Sequence, residues 1–328
     1  MELRVIDFGR VTPVRSQSLW HAIAYGVSAG APPTLSFMTP ESPYVSIGYH
    51  VNIDAVDVES CAEAGLPIFR RMVGGGPVYL DRDQLFFQIT LPVSMTPSVR
   101  SRAVRQMLSP AVAAFKMVGV AAELDGVNEI IVGDRKICGH AAGQIDGAVI
   151  VVGNLITGFD HNAAAAIART PNRLSADLFR SMLGRYVTAV SADPQAFVDA
   201  AITSYGNALD LAPEFGVLND LETSKLTMLD ARLSNEEFVM GEARPATAPW
   251  RVKVKSGVWV IGHTEGSRAA AVGVVDDVVT AAIHGHSDGG VDVVQQEIIG
   301  HELPAAARNL NREGKAGELL GQLVDSMA

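Results

Sequence analysis

Residues 70–80 read RRMVGGGPVYL, two cations and three consecutive glycines set between stretches of strand character, LPIFR before and VYL after. Three glycines in a row are costly to order, so side chains are excluded there for a reason. Either the connection is a tight bulge or backbone must approach a ligand closely. Arg70 and Arg71 carry forked donors suited to phosphate or carboxylate oxygens. Alternation along a strand turns neighbouring side chains to opposite faces, which favours Arg71, next to the loop, as the ligand contact.

Working outward, Ser16 to Gly30 reads as a helix with Ser16 at its N-cap, ended by Pro32 and Pro33. TLSFM and YVSIGY alternate as strands, AVDVESCAEAG reads as a short helix, and DRDQ (81–84) as a hairpin turn between VYL and LFFQITL. An amphipathic helix is expected over Ser98 to Val118, then strands NEIIV, RKICGHA and GAVIVVGNLI, and a helix over 193–210. Residues 212–244 read as a polar connector. Paired strands follow, with turns at SG and DD, and a helix over 304–327. The fold class is α+β: a first domain of mixed, largely antiparallel sheets with surrounding helices over 1–212, a connector over 213–237, and a small α+β domain over 238–328.

The chain has 328 residues, enough for two domains with substantial cores. A net charge of −10 opposes nonspecific attachment to nucleic acid or to an anionic membrane. Two cysteines, Cys61 and Cys138, make no disulfide framework and no zinc spacing, and the N-terminus has no secretory pattern. A cytoplasmic location is expected. His284 and His286 lack a third metal partner, and Trp20, Trp250 and Trp259 read as packing residues.

RRMVGGGPVYLDRDQLFFQ resembles the RRxSGGGxVYHDxGNLNYS motif of the lipoate-protein ligase and octanoyltransferase superfamily, whose catalytic module is related to biotin protein ligases. NEIIVGDRKICGHAAGQIDGAVIVVGNLI is similar to that family's NDLxVxGRKISGSAQxxxxGxxLHHGTLL, in the same order and at the same separation. YVSIGYHVN and RYVTAV resemble two further family segments, and the tail from Phe238 resembles the accessory domain of two-domain bacterial lipoate ligases. The resemblance implies activation of lipoate or octanoate by ATP as acyl-AMP and its transfer to a lysine of a small lipoyl-domain protein. It implies that Lys136 is the catalytic lysine and that Gly74, Gly75, Gly76, Val78, Tyr79, Asn128, Cys138, Gly139 and His140 join Arg70 and Arg71 around lipoate and ATP. Asn128 and Glu129 stand where the family's ND pair would hold the Mg²⁺ that accompanies ATP.

The departures matter chemically. Val73 replaces a Ser or Thr hydroxyl, His140–Ala141 replaces SA, and VVGN replaces HHGT. In a regular strand Lys136, Cys138 and His140 share one face, where an ammonium and an imidazole would activate the thiol. That arrangement suits ATP-independent octanoyl or lipoyl transfer through a thioester. Cys in place of Ser also suits a packed core, and Cys61 reads as structural. A third reading is a noncatalytic sensor that binds lipoate or its adenylate.

Overall fold

The computed structural model describes residues 2–126, 128–241, 250–309 and 314–326. Its organising strand is Gln84–Pro92, in which Leu85, Phe87, Ile89 and Leu91 point one way and Phe86 the other. The first set meets Met107, Leu108 and Phe115 of helix Arg100–Met117 and Phe197 and Tyr205 of helix Pro194–Leu209. Phe86 meets Leu19 and Ala22 of helix Pro13–Ser28. Helices therefore cover both faces, and each fully buried aliphatic or aromatic side chain contributes about 1.5–3 kcal/mol.

The six-stranded sheet runs in the order His140–Ile145, Ala148–Ile156, Gln84–Pro92, Thr34–Pro40, Glu2–Val11, Ala212–Phe215. Pairing is antiparallel except at the last two interfaces, where Glu2–Val11 runs parallel to both neighbours. Two small sheets complete this body: Tyr44–Ile47 between Ile68–Arg70 and Val78–Leu80, and Ile130–Val132 between Glu123–Leu124 and Arg135–Cys138. The DRDQ turn thus joins two sheets instead of closing a hairpin, because Val78–Leu80 pairs with Tyr44–Ile47 while Gln84–Pro92 pairs elsewhere. Helix Pro13–Ser28 starts before Ser16, whose hydroxyl donates to the Pro13 carbonyl and meets the Tyr44 hydroxyl at 2.8 Å.

Residues 213–237, expected to be a connector, are folded into this body. Their strand extends the six-stranded sheet, and helix Asp220–Ser234 opens with a reciprocal cap between Asn219 and Glu222. Glu222 is fully buried and receives both guanidinium nitrogens of Arg4, at 2.5 and 2.9 Å. The apolar residues of this helix, Leu226 and Leu229, join the cluster around Leu19 and Tyr44.

Two compact units emerge, one holding the described residues of 1–53, 61–159 and 188–242, the other those of 54–60, 160–187 and 243–328. In the second, five antiparallel strands form a meander, Trp250–Lys255, Val258–Glu265, Arg268–Val275, Val278–His286 and Val291–Val294. Gly257 and the pair Asp276–Asp277 adopt positive φ, as the SG and DD turns require. Ala270, Val272 and Val274 pack with Leu319, Leu320 and Leu323 of helix Gly314–Asp325. Ala269 and Ala271, on the other face, take Leu174 of helix Arg173–Tyr186. Asn172, which caps that helix, donates to the His263 carbonyl and the Thr264 hydroxyl, both at 3.0 Å. The RYVTAV segment therefore begins at the end of a helix that belongs with the tail sheet. Of the helix expected over 304–327, Leu303–Asn309 and Gly314–Asp325 are observed, and 310–313 and 327 lie outside the described residues.

Candidate active site

The glycine loop is built from below. Arg71 is 5% exposed; its Nε donates to the Gly74 carbonyl at 3.1 Å, Nη2 to the Gly76 carbonyl at 2.9 Å, and Nη1 to the Ser46 carbonyl at 3.0 Å. Gly75 takes φ +107°, and a Cβ there would sit 2.4 Å from Arg71 Nη2. Gly48 faces the Gly75 carbonyl so closely that a Cβ would lie 2.0 Å from it. The loop therefore needs glycine at 75 and 48 for backbone geometry, while nothing lies within 4 Å of the position a Cβ would take at Gly76.

A buried polar network holds this arrangement. Ser46 Oγ donates to Gln17 Oε1 at 3.1 Å, Gln17 Nε2 donates to Tyr44 Oη at 2.6 Å, and the Met72 amide donates to His21 Nε2 at 3.0 Å. With Nε2 accepting, Nδ1 of His21 carries the proton and donates to the Gln17 carbonyl at 2.6 Å. Burial, with Arg71 adding to it, lowers the His21 pKa to about 3, so the ring is neutral. Burial likewise lowers Arg71 to about 10, which leaves it charged at neutral pH.

Arg70 is 3% exposed and equally committed. Its Nη1 donates to the carbonyls of Gly48, Tyr49 and Val51 at 3.0, 3.2 and 2.7 Å, and its Nε and Nη2 to those of Phe238 and Val239 at 2.8 and 2.6 Å. The sequence places both arginines among the ligand contacts. In the structure both guanidinium groups saturate backbone carbonyls and neither lines the cavity beside the loop. Val73 is 3% exposed and packs with Trp20, Ile23 and Ile150, so its departure from Ser or Thr falls in the core.

That cavity, about 450 Å³, is lined by Gly74 and Gly75, by Arg100, Ser101 and Val104 in the first turns of helix Arg100–Met117, by Asn128, and by His140, Ala141 and Ala142. Its size is typical of small-molecule sites, and it sets apolar walls beside exposed glycine backbone. Of the expected contacts, Gly74, Gly75, Asn128 and His140 meet here. Val78 and Tyr79 lie on the strand after the loop, outside the lining.

Lys136 sits on strand Arg135–Cys138, its side chain 19% exposed, with Nζ 3.2 Å from Glu129 Oε1. Glu129 follows Asn128, which lines the cavity at φ +67°, its amide donating to the Ser101 carbonyl at 3.0 Å and accepting from Arg105 at 3.3 Å. The Asn128 amide oxygen receives Arg105, and Glu129 Oε1 holds Lys136. Among the described residues no group of three or more His, Cys, Asp or Glu is placed to hold a metal ion.

Cys138 overturns the same-face expectation. Opposite it the ladder slips, with Ile130 pairing Cys138 and Ile131 pairing Lys136, so Ile137 is an inserted residue and the alternation breaks. The chain then leaves this sheet at Gly139 and enters the six-stranded one at His140. Cys138 turns into the core with Ile130, Ile137 and Leu155, fully buried. Burial pushes its thiol up to about 12, against smaller lowering effects from the Asn154 amide at 3.3 Å and from Lys136. Cys61 is also buried.

Sequence reasoning missed Arg100, Ser101 and Val104, although three arginines within SVRSRAVRQ stand out in an acidic chain. It also missed the Gln84–Asn154–Gly139 chain: Asn154 Nδ2 donates to Gln84 Oε1 at 2.8 Å and the Gly139 amide to Asn154 Oδ1 at 2.6 Å, fixing the crossover between sheets. Polar residues within otherwise apolar strands were the available signal.

The lipoyl protein ligase A/B catalytic domain matches residues 13–199, more than half of the chain. The chain belongs to this family. It is 31% identical over 126 residues to the lipoate-protein ligase LplJ of Bacillus subtilis, covering 38% of this chain and 37% of that enzyme. It is 24% identical to the octanoyltransferase LipM of Symbiobacterium thermophilum, over 72% of this chain and 97% of that one. A solved structure described as a bi-partite lipoate protein ligase and its E2 lipoyl domain from Thermoplasma acidophilum superposes with a TM-score of 0.67 at 24% identity over 76% of this chain and all of its own. LipL1 of P. falciparum in complex with lipoate shares the fold over 99% of both chains, with a TM-score of 0.60 at 14% identity. The chain is thus an enzyme-family member of lipoate ligase or octanoyltransferase type with a C-terminal domain. No helix among the described residues is long and apolar enough to cross a membrane.

Proposed function

We propose that this protein is an ATP-dependent lipoate-protein ligase that activates lipoate, or octanoate, as acyl-AMP and passes the acyl group to a lysine of a lipoyl-domain protein. The observation that carries the reading is the state of the thiols. Both cysteines are buried, and Cys138, which packs in the core, is held protonated by its surroundings. Transfer through an enzyme thioester needs an accessible thiolate, whereas an adenylate needs no protein nucleophile.

In the first half-reaction a carboxylate oxygen attacks the α-phosphorus of ATP and pyrophosphate leaves. In the second, the acceptor amine attacks the acyl carbon, AMP departs with the C–O electron pair, and the amine loses its proton. Lys136, oriented by Glu129, supplies an ammonium that stabilises the negative charge developing in each step. Gly74 and Gly75 present backbone instead of side chains to the ligand, and Val104, Ala141 and Ala142 give the acyl chain apolar contact. Solved neighbours described as a lipoate-protein ligase A bound with ATP and as a putative lipoate protein ligase with bound lipoic acid support this ligand set. The tail sheet serves as an accessory domain for adenylate formation, and the reaction takes place in the cytoplasm.

The likeness to LipM over nearly its full length favours ATP-independent octanoyl transfer as the second reading. Incubation with lipoate and Mg-ATP decides between them. Stoichiometric pyrophosphate release with a lipoyl mass increment on the acceptor is expected. Acyl transfer from an acyl-carrier thioester alone, with no pyrophosphate, would contradict the proposal, as would ligand binding with no covalent product.

A further inference from the structure

The family motif carries its positive charge at positions 70, 71 and 136, and in this chain none of the three lines the cavity beside the glycine loop. Arg70 and Arg71 saturate backbone carbonyls, and Lys136 is paired with Glu129. Arg105 donates to the Asp125 carbonyl at 3.1 Å and the Asn128 amide oxygen at 3.3 Å. Arg100 differs. It lines the cavity, is exposed, and makes one hydrogen bond among those described, from Nη2 to the Ala142 carbonyl at 3.2 Å. No carboxylate among the described residues forms an ion pair with it. The same Nη2 lies 4.0 Å from where a Cβ would stand at Gly74, so the guanidinium spans the gap between the glycine loop and strand His140–Ile145.

We propose that Arg100 binds the anionic linkage of the acyl donor in this cavity, the role its sequence motif would assign to Arg70 and Arg71. The assignment rests on the acyl-adenylate reading and sharpens it. A guanidinium offers several N–H groups in one plane, and one of them is used on Ala142; Arg100 shares the cavity lining with Gly74 and Gly75. A phosphate ester is the anionic class that fits between an arginine and glycine amides, whereas a neutral thioester gains nothing from such a cation. Arg100 therefore selects for a charged, phosphate-linked donor over an uncharged one. Two arginines that look like ligand contacts shape the loop, and an arginine outside the motif meets the ligand.

The test is isothermal titration of the full chain with an octanoyl-sulfamoyl adenosine, an anionic stand-in for the adenylate, and with 5′-O-octanoyl adenosine, which lacks the charge. Arg100→Gln should weaken the charged ligand at least tenfold and the neutral ligand less than twofold, with Arg100→Lys in between. Thermal unfolding midpoints should match wild type, because the residue is exposed and its carbonyl partner keeps water. Equal binding of the charged ligand by wild type and Arg100→Gln would overturn the assignment, and so would equal loss for both ligands. Wild-type protein that binds neither ligand would instead overturn the adenylate reading, and the assignment with it.

Discussion

Arg70→Met keeps the aliphatic stem and removes the guanidinium from a site where it joins two separated pieces of backbone, 48–51 and 238–240. Three of its contacts, to Val51, Phe238 and Val239, are 2.8 Å or shorter. Hydrogen bonds from charged donors are worth about 1.5–3 kcal/mol each. Part of that returns as water reaches the partly buried carbonyls of Val51 and Phe238, so a net loss of about 4 kcal/mol is expected. For a body of this size, that lowers the unfolding midpoint by about 8–16 °C. Circular dichroism melts and urea titrations read the loss directly. Acyl transfer at 15 °C, where the variant is still folded, should remain within about threefold of wild type, an estimate that follows from the Arg70 guanidinium bonding carbonyls outside the cavity lining. A variant with the wild-type melting point and no activity would refute this reasoning and return Arg70 to the ligand.

Lys136→Ala should abolish acyl transfer, measured by acceptor mass, and should also cost about 3 kcal/mol because a buried Glu129 loses its partner. Adding Glu129→Gln should restore the melting point without restoring turnover. Cys138→Ser should retain most ATP-dependent activity at a cost of about 1 kcal/mol, since a hydroxyl can replace the thiol toward the Asn154 amide and the Gly139 carbonyl. His21 should govern acid stability. Its folded pKa is depressed from 6.5 to about 3, so the unfolded chain binds the extra proton first. Its contribution is complete above pH 6.5 and falls as the pH drops toward 3, by about 2 kcal/mol at pH 5. Urea unfolding of His21→Gln should show a shallower decline over that window, and an identical acid limb would contradict the assignment.

Much of the fold was legible because its signals are local. Alternation in LFFQITL and GAVIVVGNLI, Asp193 ahead of a helical period, and aspartates in a tight turn each specify their own element. Destinations were less legible. Nothing local tells Val78–Leu80 to pair with Tyr44–Ile47 instead of with the strand that follows it, and residues 212–237 reveal their place only through the Arg4–Glu222 pair, made across 218 positions. At Gly75 the glycine motif marks a position where a side chain is excluded, whereas Gly76 leaves room for one. The motif could not show that the Arg70 and Arg71 guanidinium groups bond backbone carbonyls, because alternation says nothing of burial and the strand ends at Arg70. One inserted residue at Ile137 was enough to separate Lys136 from Cys138.

Acyl transfer through an adenylate needs no enzyme thiol. The most direct measurement uses a cysteine-free protein, Cys61→Ala with Cys138→Ser, given lipoate, Mg-ATP and a lipoyl-domain acceptor, with pyrophosphate and acceptor mass followed together. One pyrophosphate should be released per lipoyl group attached, at a rate within a few-fold of wild type. Loss of transfer in the cysteine-free protein, together with ATP-independent labelling by the wild type and an acyl mass on Cys138, would contradict the adenylate route.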